Sequence, residues 1–84
     1  MGRLEKLLAK MRRFPPEMRY EEVAKVLEAF GFVEHRSSGS HHVFYREGCP
    51  PLTVPRHRGR VVKATYLKLV LELLEDCGLV APEG

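Results

Sequence analysis

At 84 residues the chain has room for one domain, and a domain of that size buries only roughly 60 to 65% of the surface its unfolded form exposes. An enzyme carrying its own cofactor domain is excluded. With 44% hydrophobic and 30% charged residues and no tryptophan, the chain is apolar enough for a core and too apolar for general disorder. No apolar run approaches the roughly 20 residues that cross a bilayer, and the start lacks a signal-peptide apolar block, so a cytoplasmic location is expected. The formal charge is +3, from 14 Lys plus Arg against 11 Asp plus Glu. Its distribution matters more than its sum. Between Glu34 and Lys63 stand Arg36, Arg46, Arg56, Arg58, Arg60 and Lys63 against Glu34 and Glu47, together with all 4 histidines. A guanidinium surplus around imidazoles suits a polyanion, because each neutralised phosphate releases condensed counterions. Nucleic acid is therefore the expected class of partner.

Leu4, Leu7, Leu8 and Met11 recur at helical spacing and predict a short amphipathic helix over 3–13, ended by Pro15 and Pro16. Tyr20, Val23, Val26, Leu27 and Phe30 predict a second helix over 20–30, with Gly31 as its left-handed stop. Residues 1–18 thus read as an N-terminal helical extension and 19–84 as the domain proper. An 84-residue chain has little core to cover the first apolar stripe, so that stripe can instead meet a second copy, giving a homodimer, or another protein.

The middle predicts strands. Residues 32–36 and 41–46 form a hairpin about the turn residues Ser37, Ser38, Gly39 and Ser40; after a second turn, 52–54 make a third strand stopped by Pro55. Along the second strand His41, Val43 and Tyr45 share one face and His42 and Phe44 the other; which face meets the helices is open at this level. Arg56 to Arg60 reads as a basic loop. Tyr66, Leu67, Val70, Leu71, Leu73 and Leu74 predict a last helix of about twelve residues, with Thr65 as N-cap and Gly78 as stop. The expected fold is α+β, a three-stranded antiparallel sheet with helices on one face, in the order α-α-β-β-β-α. Cys49 and Cys77, 28 positions apart, match neither a metal knuckle nor a secreted framework and are expected as reduced thiols. Zinc at His41 and His42 is disfavoured, because neighbours on a strand point oppositely. No metal or other cofactor is expected.

The sharpest local feature is Gly39-Ser40-His41-His42-Val43-Phe44, a glycine turn delivering two histidines to the start of a strand. Imidazole changes charge near neutral pH and is a natural general base beside phosphate. This run, the helix ending in Gly31-Phe32, and Leu-Thr-Val-Pro-Arg-His at 52–57 followed by Lys63 and a final helix resemble HicA, the toxin of a bacterial toxin-antitoxin pair, over about residues 19–79. The resemblance implies a fold like that of double-stranded-RNA-binding domains. It implies a metal-independent ribonuclease that cleaves messenger RNA and is silenced by a HicB antitoxin. It maps the catalytic histidine onto His41, with His42 as alternate, and residues 1–18 have no equivalent in minimal members. Arg36, Ser40, Arg58 and Lys63 are the candidate RNA contacts; each also has a plain reading as turn former or solvated charge. The competing function is a non-catalytic RNA-binding module of the same fold.

Overall fold

The computed structural model describes residues 2–38 and 41–82. Its elements run α1 (Arg3–Arg12), β1 (Glu17–Arg19), α2 (Tyr20–Ala29), β2 (Val33–Ser38), β3 (His41–Tyr45), β4 (Leu52–Pro55), β5 (Val61–Lys63) and α3 (Ala64–Asp76). The fold is α+β. Strands β2, β3 and β4 form an antiparallel sheet in that order, as the alternating pattern predicts. Strands β1 and β5 form a second, two-stranded antiparallel sheet, which corrects the predicted order. Each is three residues long and runs straight into a helix, so neither shows a strand signature of its own.

Local chemistry sets the helix ends. The Glu5 carboxylate accepts from the Gly2 N–H at 3.0 Å, and the Glu22 carboxylate accepts from the Arg19 N–H at 3.2 Å. Both satisfy donors that the first turn of a helix leaves without partners. Gly31 (φ 88°) and Gly78 (φ 72°) take the left-handed conformation after α2 and α3, where a side chain would be strained. The expected Thr65 cap is corrected: Lys63, the last residue of β5, caps α3 in extended conformation.

Helices α2 and α3 lie on one face of the β2–β4 sheet and bury Val23, Val26, Leu27, Leu67, Val70 and Leu74 with Phe44 and Val54. Helix α1 packs on both of them. Met11 is completely buried, and Leu4, Leu7 and Leu8 pack partly buried against the same core. The stripe expected to seek a second copy is therefore covered largely within the chain. Polar ties fasten α1 further: Lys10 bridges Glu22 at 3.1 Å, and Arg12 donates to the Ala81 carbonyl at 2.7 Å. Such exposed pairs add at most about 1 kcal/mol each, so the buried methionine carries more of the docking.

Cys49, in the turn between β3 and β4, and Cys77, at the end of α3, are joined as a disulfide with Cα atoms 6.0 Å apart. This corrects the expectation of two reduced thiols. Sequence separation carries no information here; the fold lays the turn against the helix end. Closing a loop of this length restricts the unfolded chain by about 3 to 4 kcal/mol in the chain-entropy picture.

Candidate active site

The two adjacent histidines part company at the first residues of β3. His41 pairs with Pro55 of β4 and Ser38 of β2, and His42 pairs with Val54 and Arg36. The β2 register slips between Arg36 and Ser38, an irregularity of the kind that bends a strand and re-aims neighbouring side chains. Alternation then sends the two rings to opposite faces. His41 is exposed, on the face that carries Val43 and Tyr45 and is turned away from the helices. His42 is 2% exposed, on the inner face with Phe44.

His42 is not buried among aliphatic groups alone. Its Nδ1–H donates to the Glu34 carboxylate in a charge-assisted hydrogen bond. Its ring lies 4.9 Å from the Tyr20 ring, centroid to centroid, and the Arg56 guanidinium sits 4.1 Å over the other aromatic centre, Tyr20 itself. Burial alone would push the Glu34 carboxyl up; the neighbouring Tyr20 hydroxyl, the His42 hydrogen bond and the charges of His42 and Arg56 outweigh it and hold that carboxyl below its ordinary 4.5. The Tyr20 hydroxyl is buried beside this carboxylate without closing a hydrogen bond of full geometry. Burial first, and the adjacent Glu34 charge second, raise the Tyr20 phenol well above its ordinary range. Glu34, His42, Tyr20 and Arg56 thus form one polar cluster linking β2, β3, α2 and the loop after β4. Sequence reasoning missed it, because its members are 8 to 36 positions apart and share no motif.

The cations expected to bind RNA are distributed. Arg58, at φ 54°, and Lys63 line a groove of about 390 Å³ with His57 and Arg60. Lys63 is paired across the small sheet with Glu17, 3.4 Å from Nζ to Oε1, so part of its charge is already spent. His41 lines neither this groove nor the larger one beside α1. Arg36 reaches His42 through backbone pairing; its side chain, and Ser40 entirely, lie outside the described residues. Among the described residues no three His, Cys, Asp or Glu side chains converge as a metal site would require.

Residues 20–79 match the family described as the HicA toxin of bacterial toxin-antitoxin systems. The chain belongs to the HicA toxin family. Searches of curated proteins and of solved structures return no match. The HicA match begins at the first residue of α2 and ends just beyond Gly78, so it contains both histidines, the basic loop and α3. Helix α1 and strand β1 fall outside it. A toxin of a toxin-antitoxin pair is thereby the function class of this HicA chain, and no helix in its described residues is long and apolar enough to cross a membrane.

Proposed function

We propose that this toxin is a metal-independent endoribonuclease that cleaves messenger RNA with His41 as general base, and that a HicB-type antitoxin neutralises it. The observation that carries this reading is the contrast at the start of β3. His41 is exposed at the first position of β3, whereas His42 is buried and engaged with Glu34. An imidazole must meet a ribose to act on it, and the accessible ring is the better candidate.

In this mechanism neutral His41 takes the proton from a ribose 2′-hydroxyl. The oxygen attacks the adjacent phosphorus in line, the bond to the 5′-oxygen breaks, and that oxygen takes a proton from water, leaving a 2′,3′-cyclic phosphate and a 5′-hydroxyl. General base action contributes about 10² to 10⁴ in rate; the rest comes from positioning and from cations that stabilise the crowded phosphorus. Arg36, Arg58 and Lys63 are assigned to that task, with Ser40 as a phosphate donor from the turn. An oligoribonucleotide with a single 2′-deoxy substitution at the cleaved position should bind but remain intact, with chelator present throughout. Cleavage of that oligonucleotide would sink the mechanism.

One observation favours the second reading, a non-catalytic RNA-binding module. The two basic grooves are lined without His41. Wild-type protein that binds RNA tightly and never cuts it would establish that reading instead.

A further inference from the structure

A groove of about 760 Å³ on the α1 side is lined by neither histidine of β3. Its basic lining comes from three separate stretches: Arg3 and Lys10 of α1, Arg19 just before α2 with Lys25 in its middle, and Arg56 and Arg60 of the loop after β4. Three carboxylates line it as well, but Glu22 is bridged by Lys10 and Glu17 by Lys63 from outside the groove. Six cations against three acids leave an excess of +3, as large as the formal charge of the whole chain. Five of the six are exposed. The sixth, Arg56, has its buried Nε without a hydrogen-bond partner and its guanidinium carbon 4.1 Å from the centre of the Tyr20 ring. Guanidinium and aromatic groups are platforms on which nucleobases stack, and the surrounding point charges suit phosphates.

One placement ties the groove to the site: Arg56 directly follows Pro55, the cross-strand partner of His41. The wall made by Arg3 and Lys10 belongs to α1, outside the region matched by the family. We propose that α1 turns this side of the toxin into a phosphate-binding groove for single-stranded RNA flanking the cleaved nucleotide, a function of the extension added to the family core. The identity of the ligand rests on the ribonuclease reading; the anion-binding character rests on the charges.

The test compares wild type with an Arg3→Gln, Lys25→Gln double variant, both positions exposed and on different helices lining the groove. The probe is an oligoribonucleotide made uncleavable by 2′-deoxy substitution, titrated over a range of salt. Loss of two phosphate contacts should weaken binding about tenfold near physiological salt and make the slope of log affinity against log salt shallower by about 1.4. Lys68→Gln, on the exposed side of α3, should change neither. Affinity within twofold of wild type with an unchanged salt slope would overturn the groove, as would normal RNA binding with weakened antitoxin binding, which would make it a protein interface. If the double variant binds like wild type while both cut RNA, only the groove fails. If the predicted slope change appears in a protein that never cuts RNA, the groove stands and the ribonuclease reading fails. Wild type that binds no RNA overturns both.

Discussion

His41 and His42 are one peptide bond apart, and the structure treats them as different kinds of residue. His42 faces the helices, donates to Glu34 and packs on Tyr20; His41 faces outward and is reachable by a macromolecule. The difference is not in their chemistry, which is identical, but in the two-residue period of a strand and in which of its faces is covered. A burial pattern therefore separates a structural imidazole from a candidate catalytic one without reference to pKa. The same partition extends across the sheet, where Phe44 and Val54 join the core while Tyr45 and Thr53 stay exposed.

The comparison breaks most sharply on stability. His42→Ala removes a buried ring and leaves the Glu34 carboxylate without its donor, so it should cost about 2 to 3 kcal/mol in urea unfolding. His41→Ala should stay within about 0.5 kcal/mol of wild type. Equal losses from the two variants would contradict the assignment of faces. A smaller effect, about 1 kcal/mol, is expected from Glu34→Gln, which keeps the shape and removes the charge. Because the Glu34 carboxyl is held below 4.5 in the folded state, its stabilisation is fully present above that pH and is lost as pH falls through the lower folded value. The gap between wild type and Glu34→Gln should accordingly shrink below about pH 4.5; a gap constant down to acid unfolding would argue against the ion pair. The smallest effect concerns Tyr20. Ultraviolet titration should show one phenol ionising above the ordinary 10.0, absent in Tyr20→Phe, with stability changed by less than about 1 kcal/mol. A titration curve identical in the two proteins apart from amplitude near 10.0 would place that phenol in water.

Much of the framework was legible in the sequence because it is local. Helical stripes marked α1, α2 and α3, glycines at 31 and 78 marked two of their ends, and turn residues bracketed β2, β3 and β4. Strands β1 and β5 were not legible: Glu17-Met18-Arg19 and Val61-Val62-Lys63 are extended because each pairs with the other across more than forty residues. The Cys49 and Cys77 pairing and the Glu34 and His42 hydrogen bond escaped for the same reason, since both are consequences of tertiary approach. At the site, alternation predicted that the two histidines diverge but not which one faced outward; that required knowing where α2 and α3 pack. The groove beside α1 was invisible because Arg3, Arg19 and Arg56 read as unrelated surface charges until the fold assembles them.

The account depends on the outward imidazole acting on RNA, and one measurement addresses it directly: cleavage of a single-stranded RNA by wild type and by folded His41→Ala, with the new ends identified. Wild type should release 2′,3′-cyclic phosphate and 5′-hydroxyl ends, and His41→Ala should be slower by about 10² to 10⁴ with RNA affinity preserved. Cleavage by His41→Ala at the wild-type rate would contradict it.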